Sequence, residues 1–322
     1  MNLVETILIF SPFQIIIALV LDAAIGDPPW FPHPVRLIGK AAARLEKATR
    51  NRYTNPTTAG LTATVLVLLL VASATVAILS VAAIIHPLAG TLTGALVLYF
   101  SIAGRDLLLH VVRVQRCLVT GDLPGARAAV QMIVARDSQE LTEEGVIRAS
   151  VESVSESSCD GLVAPLFYGF LLGPLGAILY RTVNTLDSMF GYKNEKYNEF
   201  GYVPANLDDL ANWLPARLSA ITIVFGAFLM KTGSGRGAWE IMRRDHRNQT
   251  SPNAGWPEAA MAGALGIQLG GANVYFGEII NKATIGNPDT SLRPAHIRQA
   301  CSLVVLSIGI FLGGGLLLKL LF

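Results

Sequence analysis

Long apolar runs alternate with short polar clusters along this chain, and the clusters fall where the runs end. Residues 7–25 (ILIFSPFQIIIALVLDAAI) form a first run, with Asp22 near its end and Pro12 either kinking the helix or starting it. Residues 26–57 read as a polar loop carrying Lys40, Arg44, Lys47, Arg50 and Arg52. Residues 59–85 are the clearest membrane span, long enough to cross the hydrocarbon layer. His86-Pro87 turns the chain and residues 88–110 return. Residues 111–160 leave the membrane as an insert with two helices. One is expected to start at Asp122, an N-cap with Pro124 in the first turn; the other starts near Thr142, with Glu143 and Glu144 at the positive helix end. Apolar segments at 161–180, 214–231 and 301–322 complete the pattern, with polar stretches at 181–213 and 232–298 between them. No repeat period shows, and the whole of 1–322 reads as one polytopic domain.

Charge then orients the pattern. The 86–87 hairpin tip has no ionisable residue except His86, so the positive-inside rule places it outside and the basic 26–57 loop in the cytoplasm. The 181–213 stretch sets Arg181, Lys193 and Lys196 against five acids, and the rule does not decide its side. Gly173-Pro174 lies in the middle of 161–180, where a helix can break and re-enter. Re-entry of both neighbouring segments would bring every polar cluster to the cytoplasmic face. The expected class is an all-α integral membrane protein, a polytopic helical bundle with re-entrant or interfacial helices and cytoplasmic polar loops.

Composition agrees. The 322 residues are 52% hydrophobic and 15% charged, where soluble domains carry nearer a quarter charged residues. The mean hydropathy is +0.49. A formal net charge of +2 does not suggest nucleic acid. The N-terminal run lacks a basic leader and a small-residue cleavage site, so it reads as a retained helix. Cys117, Cys159 and Cys301 are far apart and read as buried free thiols, and the five histidines show no metal-ligand spacing.

Four polar constellations remain. In LDAAIGDPPWFPHPVRLIGK (21–40), Asp22 and Asp27 flank a glycine, and prolines 28, 29, 32 and 34 stiffen an extended path from which His33 and Arg36 project. A helix end followed by a Pro-rich turn is the plainer reading. In ARDSQELTEEGVIRASVESVSESSCDG (135–161), Glu144, Arg148, Glu152, Glu156 and Asp160 recur every fourth residue. Each such step drifts roughly 40° round a helix, so Glu152, Glu156 and Asp160 share a face. Like charges there need a cation, and hard oxygen donors suit Mg²⁺; a solvated face partnered by Arg148 is the alternative. In 181–213 and just beyond, Asn184, Asp187, Ser188, Lys193, Asp208, Asp209, Asn212 and Arg217 crowd together with Tyr192, Tyr197, Tyr202 and Trp213. An interfacial aromatic belt explains the aromatics and not the acids. In SPNAGWPEAAMAGALGIQLGG (251–271), Pro257 fits the first helical position, Gly266/Gly270 form a GxxxG pair for close packing, and Ser251–Trp256 forms a loop suited to an anion. No GxxxxGK[ST] phosphate loop occurs, and Gly233–Gly237 reads as a flexible helix exit before it reads as a phosphate nest.

Together the stretches LDAAIGDP-HPVRLIGK, ARD, RASVES-SE-DGLVAPLFY, NTLDSMFGYKNEKY-FG, LDDLANWLPARL and SPNAGWPEAAMAGALGIQLGG resemble the adenosylcobinamide-phosphate synthase (cobinamide synthase) family of cobalamin biosynthesis. They run in order from residue 21 to residue 271. The resemblance implies an integral membrane ligase of the cell inner membrane, its site facing the cytoplasm. It would join a corrinoid acid, adenosylcobyric acid, to aminopropanol or its phosphate, consuming ATP with Mg²⁺. Neighbouring cobalamin-assembly enzymes are possible partners. Three places depart from the family pattern: Ser155-Glu156-Ser157 stands for Ala-Glu-Asn, Ala205-Asn206 for Ala-Arg, and Ala272 for Pro. The charge lost at Asn206 bears on the amine substrate more than on the reaction class.

Amide formation at neutral pH needs an activated acid and a deprotonated amine. On the implied reaction, Asp27, Glu152, Glu156 and Asp187 are the catalytic acids, and Asp27, Glu152, Glu156 and Asp160 the metal ligands. Arg136, Arg148, Lys193 and Arg217 would hold phosphate and carboxylate groups. His33, Arg36, Asn184, Tyr192, Asn253 and Trp256 are further substrate contacts, with Tyr192, Trp213 or Trp256 packing on the corrin face. A transporter of corrinoid or amine, and a non-catalytic sensor related to the family, are the alternatives. Transport sites lie near the bilayer midplane on broken helices, and a sensor should have lost the acids that this chain keeps.

Overall fold

The computed structural model describes residues 11–28, 30, 32–134, 136–231, 233–275 and 278–321. Residues 7–10 of the first expected span lie outside them. Among the described residues, five helices are long and apolar enough to cross a membrane: Pro56–Ile85, Pro87–Val119, Glu143–Phe190, Tyr202–Leu229 and Pro294–Leu318. The protein is a helical membrane protein, with one two-stranded hairpin that the hydropathy pattern does not announce. The chain divides into two compact units, residues 1–103 with 164–212 and residues 104–163 with 213–322.

The first unit holds α1 (Pro12–Ile25), α2 (Pro34–Arg52), α3 (Pro56–Ile85), α4 (Pro87–Tyr99) and the kinked α8 (Ala164–Phe190). α3 is apolar on every side, so size decides which side faces protein. Ala59, Ala63, Val67 and Val71 are buried one turn apart, while Leu61, Leu69, Leu70 and Ile78 are exposed. Small residues let neighbouring backbones approach, and the large ones face lipid. The buried stripe packs with Ile38 and Ala42 of α2, Ile178, Leu186 and Phe190 of α8, and Phe200.

Residues 34–52 are therefore helix where the sequence reading had loop. Pro34 does not extend the chain but occupies the helix start, with His33 as N-cap accepting from the Val35 N–H at 3.3 Å. The fixed φ of proline suits that position. The break foreseen at Gly173-Pro174 is present: Leu172 and Gly173 leave helical geometry, and Gly173 has φ 60° and ψ −156°, open only to glycine. Asp187, Asp208 and Asp209 do not sit on a loop. α8 runs to Phe190 and α9 (Tyr202–Leu229) begins before Asp208. Between them, Arg50 of α2 stacks 4.3 Å from the Phe200 ring centre, pairs with Glu46 and donates to the Lys196 carbonyl at 2.8 Å.

The second unit holds α5 (Gly104–Val119), α6 (Leu123–Gln131), α7 (Glu143–Ser158), α10 (Gly235–Asp245), α11 (Gly255–Leu265), β1 (Leu269–Tyr275), β2 (Glu278–Ile285) and α12 (Pro294–Leu321). Asp122 is the expected N-cap, accepting from Gly125 at 2.8 Å, and Thr142, at the expected helix start, caps α7 by accepting from Gly145 at 3.1 Å. The buried hydroxyls of Ser150 and Ser155 in α7 bond back into the helix, to the Val146 and Val151 carbonyls, so neither is stranded. Ser234 caps α10, which makes Gly233–Gly237 a helix entry and not an exit.

The GxxxG expectation fails. α11 stops at Leu265, and Gly266 takes the left-handed C-cap conformation (φ 63°, ψ 38°). Gly270 (φ 76°) and Gly271 (φ 83°) then form an irregular start to β1, whose partner register shifts between Leu269 and Gly271. α11 also begins at Gly255, two residues before Pro257. The close approach of helices is carried elsewhere: a side chain on Gly263 would meet the backbone of Gly237 in α10.

Gly60 of α3 faces the backbone carbonyl of Phe200, and an added Cβ has no room there. Gly60→Ala is expected to destabilise the protein by about 1–3 kcal/mol through forced backbone movement. Thermal unfolding in detergent measures this; an unchanged melting point would mean that the two backbones separate without penalty.

Candidate functional site

In the second unit a cavity of about 280 Å³ is walled by Arg136, Glu152, Glu156, Gln249, Glu258 and Lys282, with serines 153 and 157. α7 supplies Glu152 and Glu156 one turn apart, as their spacing predicts. Glu152 is buried at 6% exposure and both its oxygens are engaged. Oε2 pairs with the buried Arg136, and Oε1 accepts the Gly270 N–H at 2.7 Å. The unusual start of β1 is what turns that N–H toward the carboxylate. The Arg148 guanidinium donates to the Gly270 carbonyl at 3.3 Å, so Arg148 and Arg136 hold opposite sides of one anchor.

Glu258 is 2% exposed, and the Gln249 side-chain amide lies 2.9 Å from each of its oxygens. Burial raises its pKa well above the usual carboxylate range, and the nearby Glu152 and Glu156 raise it further, against the opposing pull of Gln249 and Lys282. A neutral Glu258 can donate its proton, and once ionised it can accept one. Asp160, expected beside Glu152 and Glu156, falls in a π-turn, Cys159–Val163, and does not line this cavity.

The 251–256 stretch is more occupied than an open anion site requires. Ser251 Oγ already accepts from the N–H groups of Asn253 (3.3 Å) and Ala254 (3.2 Å). Asn253 is buried. The Trp256 ring packs on His246, centroids 4.0 Å apart, and Arg217 lies 4.7 Å from Trp256 and 4.3 Å from Trp213. Arg217 also donates to the Trp213 carbonyl. This guanidinium is held between two aromatic faces, which is more than a cation waiting in water.

The first unit carries its own polar chain. Tyr180 donates to Asn212 Oδ1 at 2.8 Å; Asn212 Nδ2 donates to Asp208 at 3.0 Å; Asn184 Nδ2 lies 3.4 Å from the other Asp208 oxygen. Asp208 is buried and Asp187 half-buried, one turn beyond Asn184 on α8. The Tyr180 ring stacks on Tyr168 (5.3 Å, 12°), and both rings border an apolar cavity of about 450 Å³ walled by Leu68, Leu69, Leu207 and Leu210. Tyr192 and Lys193 are exposed beyond the end of α8.

Asp27 and His33 form a separate pair in this unit. His33 Nε2 is 3.3 Å from Asp27 Oδ1, and Nδ1 takes the Val35 N–H. An accepting Nδ1 places the proton on Nε2, which faces the carboxylate. The buried His33 ring meets Phe100 edge-on. Arg36 lies exposed in the first turn of α2.

Thus Glu152, Glu156 and Arg136 are brought together, Asn184 and Asp187 are neighbours on another unit, and Asp27 pairs with His33. Among the described residues no three His, Cys, Asp or Glu side chains form a metal-holding set. The four acids expected as ligands are divided, Asp27 in the first unit and Glu152, Glu156 and Asp160 in the second. The sequence reading passed over Glu258, Gln249 and Lys282. The available signal for Glu258 is its place as the sole charge in the apolar run WPEAAMAGALGI.

A family model described as CobD/Cbib protein matches residues 15–304. Among curated relatives, "Cobalamin biosynthesis protein CobD" of Geobacter metallireducens is 48% identical over 274 residues, 85% of this chain and 86% of the relative. Proteins of the same description from Clostridium perfringens (42%, covering 93% and 95%) and Desulfotalea psychrophila (43%, covering 91% and 93%) are similar throughout. No solved structure matches the chain.

The raised pKa of Glu258 gives a testable pH dependence. A carboxyl that is neutral in the native state stabilises the fold fully below the ordinary carboxylate range, about pH 4.3. That contribution is lost as pH rises through the elevated native value. Glu258→Gln keeps the shape without the charge, so the variant should melt at or above wild type, with a gap that widens from pH 5 to pH 9. A gap that widens toward acid pH would show that Glu258 is ionised and stabilising in the native state.

Proposed function

The chain belongs to the CobD/Cbib protein family, and from that membership we propose that it is an ATP-dependent ligase of cobalamin biosynthesis. The bond it makes is the amide between adenosylcobyric acid and (R)-1-amino-2-propanol O-2-phosphate, or the free aminopropanol. The observation that carries this reading is the cavity in which Glu156 and the fully buried Glu258 stand beside Glu152, Arg136 and Lys282. A primary amine reaches the protein as ammonium and must lose a proton before it attacks. Carboxylates in a closed polar cavity accept the ammonium and then the proton. Glu152, fixed on both oxygens, holds the wall in place; Glu156 and Glu258 are the groups assigned to proton transfer.

Mg²⁺ enters this reading with the nucleotide. It typically takes one or two carboxylates and completes its shell with phosphate and water, which suits paired acids on one helix better than a protein-only cage. Bound with ATP, it would supply positive charge at the phosphoryl oxygens. Asp187, with Asn184 beside it and Asp208 across from it, is the acid of the first unit that would hold the metal, and Lys193 lies exposed beyond the helix end. The Asp27–His33 pair is assigned to proton handling. The membrane is assigned as the cell inner membrane, with these groups on the cytoplasmic side where ATP is found.

Purified protein given corrinoid acid, amine and Mg-ATP should release one nucleotide product per amide formed. Glu156→Gln or Asp187→Asn should lower turnover by about 10²-fold or more, the range for loss of general acid–base help, while melting changes little. Amide formed at full rate without ATP would remove the activation step. No amide with either amine would remove the assignment, and parallel loss of folded protein would make these acids structural.

A further inference from the structure

Four of the six cations of α2 occupy one face of the helix. At about 100° per residue, Arg36, Lys40, Arg44 and Lys47 fall within roughly 80° of arc. Ile38, Ala42, Leu45 and Thr49 form the protein-facing stripe, centred about 170° away. Three of these four are buried and Leu45 packs on the core. All four cations on the opposite face are exposed, as are Leu37 and Ala43 beside them. The helix has one acid, Glu46, and it lies off this face, 3.0 Å from Arg50 and 3.5 Å from Lys196. Among the described residues Lys40, Arg44 and Lys47 enter no ion pair. The helix is set between the apolar α1 and the membrane-spanning α3, which begins four residues after it ends. A basic, partly apolar helix face at that boundary meets lipid headgroups.

We propose that the exposed face of α2 is a binding surface for anionic phospholipid headgroups. The concentrated positive charge and the absence of acids on the face select anionic over zwitterionic lipid. The flanking Leu37 and the adjoining membrane helix select a lipid over a soluble phosphate. Such a contact would fix α2 against the bilayer and with it the His33 cap at its start. The inference does not rest on the reaction proposed above.

Detergent-solubilised full-length protein, titrated with phosphatidylglycerol or phosphatidylcholine, tests this by native mass spectrometry of bound lipid. Wild type should prefer phosphatidylglycerol. Lys40→Gln/Arg44→Gln/Lys47→Gln together should weaken that binding by roughly a hundredfold, about fivefold per cation, and leave phosphatidylcholine binding unchanged. Lys40→Arg/Lys47→Arg should restore wild-type preference, and added salt should erase it. Melting in phosphatidylcholine micelles confirms that each variant is folded. Equal preference in the triple Gln variant, or equal binding of the two lipids by wild type, would overturn the proposal. So would inorganic phosphate competing as strongly as the lipid. A triple variant that does not fold is replaced by the three single Gln variants, each expected to lose about fivefold.

Discussion

Glu152 is buried with a guanidinium on one oxygen and a backbone N–H on the other, and the second unit is organised around that carboxylate. Taking a carboxylate out of water is costly, and the cost is offset only if every lone pair finds a partner. Three separate parts of the chain meet this requirement. α7 carries the acid, the 136 loop carries the cation, and the glycine pair at 270–271 presents the N–H. The positive φ of Gly270 and the irregular register of β1 follow from this demand. Removing one partner of such a buried pair typically costs about 3–5 kcal/mol, because the other charge is left alone. The pair is therefore a determinant of geometry: it fixes where Glu156, one turn on, and the cavity wall must be.

The first unit solves the same problem without a buried ion pair. Asp208 is surrounded by amides, and the hydrogen bonds run from Tyr180 through Asn212 to Asp208 and on toward Asn184. Amides can donate to an acid and accept from a phenol in one chain, so the network crosses from polar to apolar surroundings without a stranded group. The aromatic end of that chain forms part of the wall of an apolar cavity, and the acid end lies among the residues singled out by the sequence. Both units thus place acids on helices and satisfy them from side chains or backbone whose positions are set by packing.

Much of this was legible. Asp122 and Thr142 are N-caps because short acceptors precede helical patterns, and Gly173-Pro174 breaks its helix because glycine alone accepts that backbone and proline removes a donor. Glu152 and Glu156 share a face because 3.6 residues make a turn. The rest depended on contacts that a linear pattern does not carry. α2 reads as loop because its cations dominate a hydropathy average, yet Ile38, Ala42, Leu45 and Thr49 keep helical spacing beneath them. Gly266 and Gly270 look like a helix-packing pair until the helix ends at Leu265, and nothing local says that it must. Asp160 lies in a five-residue π-turn and does not line the cavity with Glu152 and Glu156. Glu258 was passed over because one acid among alanines looks like a helix-start charge; only the fold shows it to be buried beside two other carboxylates.

Charge also bears on which amine the proposed reaction takes. Asn206, at a position where the family resemblance leads one to expect arginine, donates to the Tyr202 carbonyl of its own helix at 2.6 Å and brings no positive charge. Arg136 is committed to Glu152, and Arg217 is held between two indole rings. The cavity itself sets Glu152, Glu156 and Glu258 against Arg136 and Lys282. With Glu258 ionised, that balance is negative by one charge; with Glu258 neutral, it is even. Neither state offers a surplus of cations to a phosphate dianion, while both offer acceptors to an ammonium. If an amino-alcohol phosphate is the substrate, its nitrogen end is the end that this cavity suits, and the phosphate must find its cations outside it.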